Sequence, residues 1–103
     1  MKIFVITKRF PPEEKYSLTD QIRRSSRSVC VNTAEAYRRR RYKDYFINKL
    51  NDSQTENTET QVWLDFSRDC FYITIEEHRD LSGTNDEVGK LTWFMINNPD
   101  KFI

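Results

Sequence analysis

The stretch from Phe46 to Phe71 carries the pattern that most restricts the fold. Phe46, Leu50, Ser53, Asn57, Thr60, Leu64, Ser67 and Phe71 recur at alternating steps of 4 and 3 residues. That alternation puts every member on one stripe of an α-helix, whereas a half-buried strand would need a step of about 2. The pattern predicts a helix from about Tyr42 to Cys70, roughly 40 Å long at 1.5 Å per residue. The middle of the stripe is small and polar. Two readings stand: helices in close approach with every hydroxyl and amide hydrogen-bonded, or a slot lined for a ligand.

The rest of the chain supplies elements to cover this stripe. Only 2 glycines and 3 prolines punctuate 103 residues, where glycine alone averages near 7%. Few turns and no useful strand alternation point to an all-α fold. Residues 3–9 read as a short helix stopped by Pro11-Pro12, since proline excludes helix from the residue before it. A second helix starts near Thr19, with Ser17 or Thr19 as N-cap and the stripe Leu18, Ile22, Ser25, Val29, Thr33, Ala36. A fourth opens on the capping box Thr74 to Glu77, buries Val88, Leu91 and Met95, and stops at Asn97-Asn98-Pro99. Gly83 is a place where it would kink. The expected architecture is an up-and-down four-helix bundle with a shortened first helix, residues 1–103 forming a single domain.

Chemistry by catalysis is poorly supported, and the chain reads as non-enzymatic. Its one histidine, His78, stands among Glu76, Glu77, Arg79 and Asp80 and reads as a solvated surface residue. A di-metal bundle needs Glu-x-x-His pairs on two helices. Ile75 occupies the position three before His78, so no metal site and no cofactor is expected. Asp52, Glu56 and Glu59 share a helix side and are expected to pair with arginines. Cys30 and Cys70 lack metal-ligand spacing and read as reduced, buried thiols of a cytoplasmic protein. The apolar run near the N-terminus is too short to cross a membrane.

Charge is balanced overall, at +1 with a pI near 7.7, so any polyanion binding must rest on local charge. The local charge is Arg38, Arg39, Arg40 and Arg41, flanked by Tyr37, Tyr42 and Lys43. On a continuous helix these arginines would fan out, because successive side chains turn by about 100°. A bend near Arg39–Tyr42 would let several converge. Arginine with tyrosine suits phosphate contact and base stacking, giving an RNA- or DNA-binding candidate that also includes Arg23, Arg24 and Arg27. The competing reading is a solvated turn whose arginines neutralise carboxylates or join subunits. Val62, Trp63 and Phe66, with Leu64, point in almost every direction around the third helix. A small bundle buries one stripe, so Val62, Trp63 and Phe66 are expected at an interface between copies, unless the fourth helix covers them.

Several short motifs stand in order along the chain: Phe10-Pro11, Leu18-Thr19, Gln21-Ile22-Arg23-Arg24, Ser28-Val29, Asn32-Thr33-Ala34-Glu35, Glu59-Thr60-Gln61, Glu87-Val88-Gly89-Lys90-Leu91 and Asn98-Pro99-Asp100-Lys101-Phe102. Their order and spacing resemble the four-helix-bundle family of proteins encoded by intervening sequences in bacterial 23S rRNA genes. The resemblance implies a homopentamer. It also implies kinship with accessory proteins of diversity-generating retroelements, which bind reverse transcriptase and nucleic acid. Two departures stand out. Ala36 replaces the usual glycine, and the first helix is short, so that either it begins before Met1 or the bundle is open at one corner.

Overall fold

The computed structural model describes residues 2–103. It contains α1 (Lys2–Thr7), α2 (Leu18–Arg38), α3 (Lys43–Asp69) and α4 (Ile75–Asn97), with single turns of tighter helix at Pro12–Glu14 and Pro99–Lys101. No strand occurs among the described residues. The helices form the all-α four-helix bundle expected. α3 lies between α2 and α4 and packs along both, while α1 rests on α2. α2 and α4 do not pack against one another along their lengths. A groove lies there, walled by Val29, Cys30, Thr84 and Val88, floored by Asn57 and Thr60, and bordered by Lys2 and Ile3 of α1.

Two apolar clusters sit at opposite ends. Phe10, Leu18, Ile22, Leu64, Ile73 and Leu81 form one, with Ile3, Ile6, Trp63 and Tyr72 against it. Ala36, Phe46, Leu50 and Met95 form the other, with Ile47, Ile96 and Phe102. The polar middle of the α3 stripe joins them. Ser53 Oγ donates to the Val29 carbonyl at 3.1 Å and lies 2.8 Å from Thr33 Oγ1. Thr60 Oγ1 is 2.9 Å from Ser25 Oγ. Asn57 Nδ2 donates to the Asn85 carbonyl at 2.9 Å, and Asn85 Nδ2 returns a bond to the Asn57 carbonyl at 3.1 Å. These groups are hydrogen-bonded across helices, which meets the requirement of close approach through small residues.

The structure corrects several expectations. Phe71 does not complete the stripe, because α3 stops at Asp69. The Tyr72 N–H reaches the Ser67 carbonyl and the Phe71 N–H reaches that of Arg68, the paired bonds that end a helix through a left-handed residue. Phe71 takes that place with φ of 62° and is 92% exposed. On α4 the buried residues are Leu81, Thr92 and Met95. Leu91 is 60% exposed, turned away by about 100° from Thr92. α4 runs unbroken through Gly83, and the Thr74–Glu77 capping box forms with both bonds present. α1 ends at Thr7 rather than Arg9. Ser17 is the N-cap of α2 by position only, since its hydroxyl donates to Glu14 Oε1 at 2.6 Å. Cys30 and Cys70 are free but exposed. One flanks the α2–α4 groove, and the other lies just past the end of α3.

Candidate nucleic-acid interface

The chain bends where the four arginines begin. Ala36 and Phe46 are fully buried in the same cluster, anchoring both sides of the turn. Between them, four guanidiniums and Tyr42 are too polar to follow into the core. α2 therefore ends at Arg38, and Arg39–Tyr42 form a turn closed by a 3.0 Å bond from the Tyr42 N–H to the Arg39 carbonyl.

The tyrosines order two of the arginines. Arg39 Cζ lies 4.9 Å from the Tyr45 ring centre and 5.3 Å from that of Tyr42. Arg40 Cζ sits 4.3 Å from the Tyr37 ring centre, and its Nη1 donates to the Tyr37 carbonyl at 3.1 Å. A cation over an exposed ring contributes about 0.5–1 kcal/mol, enough to bias a rotamer while leaving N–H edges free. Among the described residues no carboxylate lies within ion-pair distance of Arg38, Arg39, Arg40 or Arg41. Other cations do have partners: Arg9 with Glu77, Arg24 with Asp20, Arg68 with Asp69 and Lys90 with Asp86. Lys43 reaches Asp100 at 3.4 Å, and Lys49 bonds Glu35 at 3.0 Å, which raises the Lys49 pKa.

The sequence candidates do not all meet. Arg38 closes α2 and Arg39–Arg41 lie in the turn that follows, with Arg39 over Tyr42 and Tyr45 and Arg40 over Tyr37. Arg23 and Arg27 lie in the first half of α2, about 22 and 16 Å from Arg38 at 1.5 Å per residue, with their guanidiniums over Phe4. Arg24 is held by Asp20. Tyr45 was not marked by the sequence, because only the three-dimensional turn brings it under Arg39.

Val62 and Phe66 are 43% and 53% exposed, as an unpartnered apolar face requires. Trp63 is instead half-buried against the cluster of Phe10, Leu18, Ile22, Leu64, Ile73 and Leu81, beside a hollow it shares with Leu18 and Gln21 of α2. Its Nε1 is buried with no hydrogen-bond partner among the described residues.

The acidic and histidine expectations change as well. Asp52, Glu56 and Glu59 form no ion pairs with arginine among the described residues. Burial and the neighbouring Glu59 push the Glu56 carboxyl up. His78 is not a solvated surface residue. Its side chain is 14% exposed, and Nε2 lies 2.8 Å from Asp65 Oδ1. Burial tends to raise the Asp65 pKa, but bonds from His78 and Gln61 outweigh it and hold the carboxyl below its usual value. The histidine thus helps to fasten α3 to α4. No cluster of side chains able to hold a metal ion occurs among the described residues.

An all-α bundle with an arginine-rich turn between its second and third helices is the class of protein defined here. A family model for the 23S rRNA-intervening sequence protein matches residues 1–93, and the chain belongs to that family. It is also similar to a crystal structure of a protein of unknown function from the S23 ribosomal protein family of Bacteroides thetaiotaomicron VPI-5482. The two are 33% identical with a TM-score of 0.83, over 91% of this chain and 87% of the other. No curated protein matches. No helix among the described residues is long and apolar enough to cross a membrane.

Proposed function

We propose that this protein is a non-enzymatic, homo-oligomeric nucleic-acid-binding accessory that grips phosphates with the Arg38–Arg41 turn. One observation carries the reading: four consecutive arginines occupy the turn after α2, two of them held over tyrosine rings, with no carboxylate within ion-pair distance among the described residues. Their mutual repulsion favours an anionic ligand, and the planar guanidinium suits phosphate in two-point contact. Tyr37 and Tyr42, both exposed, offer faces on which unpaired bases can stack. Exposed Val62 and Phe66 on α3 support assembly, which would gather several such turns on one particle and raise avidity. A ribonucleoprotein or reverse-transcriptase accessory role fits this design, and a pentamer is the favoured ring.

The test is binding of a labelled single-stranded RNA and a DNA duplex by the parent and by Arg39→Glu/Arg40→Glu. The variant should lose binding while keeping its mass by light scattering. The second reading is an oligomeric scaffold without nucleic acid, favoured by the same exposed face of α3. A parent that assembles but binds neither probe, together with a variant that falls apart, would establish that reading instead.

A further inference from the structure

The ring of Phe4 collects three cations. Arg23 Cζ, Lys8 Nζ and Arg27 Cζ lie 4.5, 5.1 and 5.5 Å from its centre. No two of them are therefore separated by more than twice the largest of these distances, a span comparable with the Debye length of about 8 Å. None has a carboxylate within ion-pair distance among the described residues. The nearest acid along α2, Asp20, is already 3.8 Å from Arg24. Arg23 is fixed in place, because its Nε donates to Thr7 Oγ1 at 2.7 Å and its Cζ sits over the ring. That leaves its two Nη groups as oriented donors, with an ammonium and a second guanidinium beside them. The aromatic face steadies the cations but cannot cancel their repulsion. An oxyanion can.

We propose that Lys8, Arg23 and Arg27 form a second phosphate clamp, which holds the same nucleic-acid strand as the Arg38–Arg41 turn. This rests on the nucleic-acid reading above and gives it a footprint. Arg27 and Arg38 are eleven residues apart on α2. Eleven residues make three helical turns, so both side chains leave the same face, about 16 Å apart. Between them that face carries exposed Val31 and Ala34 and no acid, while Glu35, on its flank, is held by Lys49. A strand laid along α2 would meet cations at both ends and an uncharged shelf between them. The separation equals about five steps of a duplex at 3.4 Å each.

The experiment is fluorescence anisotropy of a labelled 20-nucleotide single-stranded RNA across 50–200 mM salt, with melting temperature recorded for each protein. The proteins are the parent, Lys8→Gln/Arg27→Gln and Arg39→Glu/Arg40→Glu. Arg23 is left alone because it pins α1 to α2. The clamp variant should reduce the log–log salt slope by at least about 1.4, two phosphates at about 0.7 each, with its melting temperature unchanged. Should its fold weaken, Lys8→Gln alone, whose side chain makes no hydrogen bond among the described residues, should still remove about 0.7. A slope unchanged in both clamp variants, while the turn variant lowers it, overturns the clamp and leaves the turn as the binding site. A parent without salt-sensitive binding overturns the nucleic-acid reading itself.

Discussion

Replacing Phe71 by glycine should stabilise this protein, although it deletes an aromatic side chain. The residue ends α3 with φ of 62°. A left-handed backbone costs a residue with a Cβ roughly 1–2 kcal/mol, and bulky side chains rarely adopt it. Glycine adopts it freely, offset by about 0.5–1 kcal/mol of extra chain entropy in the unfolded state. The ring gives almost nothing in return within one chain, because it is 92% exposed. The balance is a gain of about 0.5–1 kcal/mol, which for a domain of this size corresponds to an increase of roughly 2–8 °C in melting temperature. Thermal unfolding followed by circular dichroism at 222 nm measures it, with a urea titration to verify that the m-value is unchanged. A fall in melting temperature would refute the reasoning. It would mean that the ring is packed against something outside the single chain, and a simultaneous drop in particle mass would identify that as another copy.

The remaining predictions follow the same logic. Thr74→Ala removes a capping box with both bonds present and should cost about 1 kcal/mol by chemical denaturation. Trp63→Phe discards the unpartnered buried Nε1 and should be neutral within about 1 kcal/mol, whereas Trp63→Ala should cost about 2–4 kcal/mol for the lost packing. The Asp65 pKa is depressed by His78 and Gln61. Its contribution is thus present above the ordinary carboxylate pKa and fades as pH falls through the lowered one, so the acid limb of the stability curve should be shallower in Asp65→Asn. The Tyr72 hydroxyl donates to Glu14, and its pKa is pushed up to about 12. Ultraviolet titration should show a tyrosine ionising at about pH 12, and Glu14→Gln should move that step down.

What was legible in the sequence was whatever local periodicity controls. The α3 stripe from Phe46 to Ser67 is buried at every position, and the helix it predicts differs from the real one by one residue at each end. The capping box placed the start of α4 because its two bonds are made within four residues. The failures occur where a neighbour decides. Leu91 belongs to the right period but to the wrong side of a stripe that is partly polar. His78 looked solvated among charges, yet α3 presents Asp65 and Gln61 to that side of α4. Phe71 fits the spacing, but Tyr72 and Ile73 turn into the core behind it. The site divides in the same way. Arg38–Arg41 were visible as a string, with a bend near Arg39–Tyr42 open as one way to bring several together, and the chain does turn there. Nothing in the sequence connects Phe4 to Arg23 and Arg27, because that meeting depends on how α1 folds back over α2.

The salt dependence of RNA binding by the parent protein tests the central claim most directly. Four arginines each neutralising one phosphate predict a log–log slope of at least about −2.8 on a single strand, reduced by about half in Arg39→Glu/Arg40→Glu or abolished with binding itself. A slope near zero, or one that the arginine replacements leave untouched, contradicts the account.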